Sequence, residues 1–144
     1  MGWTSVSKLS LVLDTGEQQG ETVSGALGAI GVVISVQPTD DDGNPVDVKA
    51  TVLLAKAELI DYVDETQLSL GKDTSKEHPW CCEKDEKFTT KSKIPQIKWS
   101  VSHFSTPKPL TKSIGVQITT DSGKTFYSSL NGTYHSAVWI KALK

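Results

Sequence analysis

Residues Ala29 to Gln37 read Ala-Ile-Gly-Val-Val-Ile-Ser-Val-Gln, and this segment constrains the fold more than any other. It is rich in β-branched residues, which favour extended backbone, and it is apolar on both faces for most of its length. Such a strand cannot sit at a surface. It predicts a central strand, flanked in its own sheet and covered by a second layer.

The two ends of the chain supply matching strands. In Ser7 to Leu13, Leu9, Leu11 and Leu13 alternate with Lys8, Ser10 and Val12, and Asp14-Thr15-Gly16 then reads as a turn. Pro38 to Pro45, with its aspartates, Gly43 and Asn44, is a turn cluster that ends the central strand. After Pro95, the residues Ile97, Trp99, Val101 and His103 alternate with Lys98, Ser100, Ser102 and Phe104. Ile114, Val116 and Ile118 share one face of a further strand, and Asp121-Ser122-Gly123-Lys124 turns it into Thr125 to Leu130. Asn131-Gly132 is a strong hairpin signal, so Tyr134 to Leu143 is expected to complete a three-stranded meander.

The middle third is less regular. Val46, Val48, Ala50, Val52 and Leu54 alternate as in a strand, whereas Leu53, Ala57, Ile60 and Asp64 have helical spacing. A strand over 47–56 is expected, with residues 53–65 open to either state and a short strand at Leu68 to Leu70. Gly71 to Lys93 is dense in charge and reads as one long polar loop, of the length that more often makes contacts than merely connects. The sum is a single mainly-β domain over 1–144, an antiparallel β-sandwich or jelly-roll of about seven strands with room for one short helix.

Composition excludes several functions. All fifteen basic residues are lysine, and the net charge is −2. Without a guanidinium fork the chain cannot clamp phosphate bidentately or read guanine, and a slightly acidic balance offers no footprint for nucleic acid. The apolar run Gly25 to Val36 is too short to span a bilayer as a helix, and no basic region precedes a long apolar one at the N-terminus. A soluble chain without a signal peptide is expected, either synthesised and kept in the cytoplasm or built into a particle.

The two cysteines, Cys81 and Cys82, are adjacent. Neighbours bridge only through a strained ring, so no conventional disulfide framework is expected and a reducing compartment is the simpler reading.

No chemical motif is complete. The glycines of Gly25 to Gly31 lead into a strand, whereas a phosphate loop follows one and opens a helix. Asp40-Asp41-Asp42-Gly43-Asn44 gathers carboxylates, but the twelfth position of an EF-type loop would be Thr51, so a solvated turn is expected. His78 and Cys81 have the spacing of one zinc pair and lack a second pair. No serine lies in a nucleophile elbow, His103 closes the apolar face of its strand, and His135 is expected at the rim. No catalytic residue, metal or cofactor is therefore expected. Asn131-Gly132-Thr133 also matches a glycosylation sequon, which the hairpin already explains.

The tryptophans remain. Trp139 has the opposite parity to Val138 and Ile140, so the last strand carries bulk on both faces. Exposed tryptophan on a sheet suits a protein interface or sugar stacking. The expected function is a non-catalytic structural or interaction subunit that assembles with copies of itself or another protein, for example a component of a viral or phage particle or tube. Trp80, His78, Trp3 and Trp139 are the expected contact residues, with the long loop around Trp80 between subunits. A carbohydrate-binding module is the alternative, followed by a small hydrolase using histidine and a carboxylate.

Overall fold

A computed structural model describes residues 3–23, 29–70, 80–88, 93–103 and 110–143. The described chain is mainly β: ten strands in two sheets, and one helix. No helix among the described residues is long and apolar enough to cross a membrane.

The first sheet is built on the β-branched segment Ala29 to Gln37. Strand β3 (Ala29–Thr39) lies between β1 (Ser5–Leu13) and β7 (Gln96–His103), antiparallel to both. Val32, Ile34 and Val36 are fully buried on one face, and Val33 and Ser35 are nearly so on the other. Leu9, Leu11 and Leu13 stand opposite Val36, Ile34 and Val32, so the leucine face of β1 meets the valine and isoleucine face of β3. A bulge between Val6 and Lys8 changes the parity of β1, which lets Val6 and Leu9 both reach the core at a spacing of three. Pro38, expected to end the strand, lies inside β3 opposite Val6 at that bulge, where the regular ladder is already interrupted.

The sheet continues through β6 (Trp80–Lys84) to β5 (Ser69–Leu70). Strand β6 corrects the expectation of one loop over 71–93. Its Trp-Cys-Cys core is short and followed by charges, and register alone makes it a strand, with Cys82 opposite Val101. Residues 71–79 and 89–92 of that expected loop lie outside the described residues.

The second sheet has the order β2 (Gln19–Val23), β10 (Val138–Leu143), β8 (Leu110–Thr119), β4 (Ala57–Asp61). Strand β2 has no alternation to betray it: it is a polar segment that pairs parallel to β10 through its backbone. The expected strand over 47–56 is instead a helix, α1 (Ala50–Lys56), and the strand follows it as β4. Helix α1 has no side-chain cap and is too short to persist alone. It is held by Leu53 and Leu54, both buried in the core cluster, which outweighs the strand-like alternation before them. Both sheets are mixed, because β5 with β6 and β2 with β10 run parallel.

The expected meander is also corrected. Strand β9 (Thr125–Ser128) pairs with residues 116–119 of β8, and β10 pairs with residues 110–114. Because β4 occupies the opposite edge of β8, β9 and β10 lie end to end on one edge, and residues 129–137 loop out between them. Asn131-Gly132 is part of that loop rather than a two-residue hairpin. Ser128 closes it, its hydroxyl donating to the Ser136 carbonyl and accepting from the Ser136 amide at 3.0 Å. Gly115 faces the junction: a Cβ there would lie 2.0 Å from the Ser128 carbonyl oxygen.

Both flanks of the sandwich are closed by chain crossing between the sheets. On one side, β1 turns at Gly16, with φ +89°, into β2, and Gln18 donates to the carbonyls of Leu11 and Ala137. Ser136 accepts from the Leu11 amide, and Tyr134 donates to the Val6 carbonyl. On the other side, Leu68 and Asp61 pair their amides with the carbonyls of Leu59 and Thr66 before the chain passes to β5. The outer edges of β1 and β4 are thus occupied along these stretches, which blocks edge-to-edge pairing there.

Candidate interaction surface

The aromatic residues divide sharply by position. Trp99 and Trp3 are in the core, at 0% and 4% exposure. Trp80 is half-buried, its ring 4.3 Å from that of His103, which is itself buried. His78 lies outside the described residues. Trp139 is 39% exposed. The bulk on the two faces of the last strand is divided accordingly: Val138 and Ile140 fill the core, and Trp139 stands outside on the second sheet.

Among the described residues, the exposed large apolar side chains are Val52, Val63, Leu130 and Trp139. Val52 is alone on α1, whereas each of the other three is tied to Tyr62, by sequence, a backbone bond or a ring contact. The Tyr62 and Trp139 rings lie 6.4 Å apart at 56°, and the Leu130 amide donates to the Tyr62 carbonyl. The Tyr62 hydroxyl in turn donates to the His135 carbonyl at 3.1 Å. Sequence parity could have placed Trp139 here, but Val63 and Leu130 sit in turns, where periodicity carries no signal.

Asp61 organises the turn that carries Val63. One carboxylate oxygen accepts from the amides of Val63 and Asp64, and the other accepts from Lys112 Nζ at 2.7 Å. Burial pushes the Asp61 carboxyl upward, but Lys112 and the two amides outweigh it and hold the group below its ordinary value. Glu65 completes the turn in the left-handed region, φ +64°, and accepts a hydrogen bond from the buried Ser129 hydroxyl at 2.5 Å. The 62–65 turn and the 129–137 loop are therefore cross-bonded, and the apolar tip they share is held in place.

Among the described residues the other candidate groups lie apart. Among the described residues no group of three histidine, cysteine, aspartate or glutamate side chains is placed to hold a metal. Asp40 spends a carboxylate oxygen on the amides of Asp42 and Asn44, as a solvated turn does, and these bonds, that of Asn44 foremost, lower its pKa. Neither Cys81 nor Cys82 is in a disulfide, and both are buried; burial foremost, then the neighbouring Glu58, pushes Cys82 up to about 12. A hollow of about 580 Å³ lies over Cys82 to Lys87 and Ser100, and among the described residues its lining mixes both signs of charge and holds no aromatic. On the outer face of the second sheet, a groove of about 480 Å³ runs beside Trp139.

No family model, curated protein or solved structure matches this chain. The functional reading therefore rests on the surface itself.

Proposed function

We propose that this chain is a non-catalytic structural subunit that associates with copies of itself through the tip formed by Tyr62, Val63 and Leu130. The observation that carries the reading is the clustering of exposed apolar side chains on two loops pinned to each other. Val63 and Leu130 are 55% and 52% exposed, yet the backbone that presents them is fixed by Asp61, Glu65, Ser129 and Tyr62. Apolar groups held rigid in water lose little conformational freedom on docking, which favours a specific contact over a loose one.

A second copy is the partner that best fits one such tip. A two-fold interface sets the same patch of each subunit against the other and needs only one patch, whereas a head-to-tail contact needs two different ones. The closed flanks of β1 and β4 make strand addition at those stretches the weaker route. Light scattering coupled to gel filtration tests this: the wild type should elute as an oligomer at micromolar concentration, and Val63→Asp with Leu130→Asp should elute as a folded monomer. A wild type that is monomeric throughout, or an oligomer indifferent to both substitutions, overturns the reading.

A further inference from the structure

The surface beside Trp139 has a different chemistry from the apolar tip. Two rungs cross the outer face of the second sheet. Gln19, Trp139 and Ser113 are register partners in one, and Glu21, Lys141 and Thr111 in the next. Gly20 lies between the rungs on β2 and points inward, where a Cβ would meet Leu13 Cδ1 at 2.6 Å. Gln19, Gly20, Glu21, Thr111, Trp139 and Lys141 line the groove.

We infer that this groove is a binding site for a neutral glycan, with one pyranose ring seated on the Trp139 indole. A pyranose presents an apolar face of C–H groups and a rim of hydroxyls that both donate and accept. It needs a flat apolar surface with mixed polar groups around it, on a scale of hundreds of cubic ångströms. Trp139 supplies the surface. Gln19 and Thr111 both donate and accept, Glu21 accepts and Lys141 donates. Among the described residues none of these four side chains makes a hydrogen bond or an ion pair to another residue, so all four sets of polar atoms face the groove or solvent. Glu21 and Lys141 cancel in charge, which suits an uncharged ligand and gives a polyanion no net attraction. Glutamate and lysine are also depleted from the cores of protein interfaces, so the lining argues against a protein in this groove. The site goes beyond self-association and does not depend on it.

Fluorescence reports on it directly. Trp3 and Trp99 are buried and Trp80 is packed on His103, so a ligand seated on Trp139 should change the emission of the exposed tryptophan alone. A glycan array probed with the labelled full chain identifies neutral ligands, and titration of the best one measures affinity. Gln19→Ala and Thr111→Ala should each weaken binding by roughly tenfold, the loss of about one hydrogen bond. Trp139→Ala should abolish it, and Trp139→Phe should retain part. Val63→Asp with Leu130→Asp should leave it intact, which separates this site from the self-association tip. An array silent for neutral glycans, binding confined to sulfated or sialylated ones, or an affinity unchanged by Gln19→Ala and Thr111→Ala overturns the inference. The last two variants lie on exposed positions and decide the matter even if Trp139→Ala fails to fold.

Discussion

Replacing Gly115 by alanine tests the arrangement of β8, β9 and β10 at its tightest point. The added Cβ would sit 2.0 Å from the Ser128 carbonyl oxygen, where real Cβ contacts begin near 3.0 Å, so that carbonyl must retreat by about 1 Å or more. Ser128 is the end of β9 and also the clasp of the 129–137 loop, through its two hydrogen bonds with Ser136. Losing both bonds costs about 1 kcal/mol each, and forcing the packed backbone apart adds about 2 kcal/mol. A loss of about 4 kcal/mol is a large fraction of the stability of a domain this size. In guanidinium chloride, with a slope of about 4 kcal/mol/M, the tryptophan-fluorescence midpoint should fall by about 1 M. Gly16→Ala is the control for backbone strain alone: φ is +89°, but nothing lies within 4 Å of its Cβ, so about 1 kcal/mol is expected. If Gly115→Ala costs no more than Gly16→Ala, then β9 and the loop are not seated on β8 as described.

Other consequences follow from buried groups. With Cys82 at about 12, the fraction present as thiolate at pH 8 is on the order of one in ten thousand, so a thiol reagent should label it only as the protein unfolds; rapid labelling under native conditions would contradict its burial. Asp61 has a folded pKa below its unfolded one, so its contribution to stability is full above about pH 4 and is lost as pH falls through the folded value. Asp61→Asn should therefore be less stable than wild type at neutral pH, and the gap in denaturation midpoint should close in acid; a constant gap would mean that the charge is not what stabilises the turn. Leu53→Ala leaves a cavity under α1 and should cost about 3 kcal/mol by the same denaturation assay, whereas the exposed Val52→Ala should cost far less.

Where burial follows a simple period, the sequence was legible. The faces of β3 and β7 and the Ile114, Val116, Ile118 face of β8 lie where alternation puts them, because each runs through one continuous core. Legibility failed where backbone pairing or distant packing decides. Gln19 to Val23 carries no periodic signal, and β10 makes it a strand. Val46 to Leu54 alternates, yet burial of Leu53 and Leu54 against the sheets selects a helix. Asn131-Gly132 is a local hairpin signal overridden by the Ser128 and Ser136 clasp. Of the three tryptophans and one histidine expected at a contact surface, parity distinguished only Trp139. The apolar tip escaped because the turn that carries Val63 and the loop that carries Leu130 are joined by the Leu130 to Tyr62 and Ser129 to Glu65 bonds, and no spacing in sequence relates two separate turns.

Sedimentation velocity over a concentration series tests the central claim most directly. The wild type should shift from monomer toward a discrete dimer as concentration rises through the micromolar range, and the chain carrying Val63→Asp and Leu130→Asp should remain a monomer with an unchanged far-ultraviolet circular dichroism spectrum. A single monomeric boundary for the wild type at every concentration would contradict it.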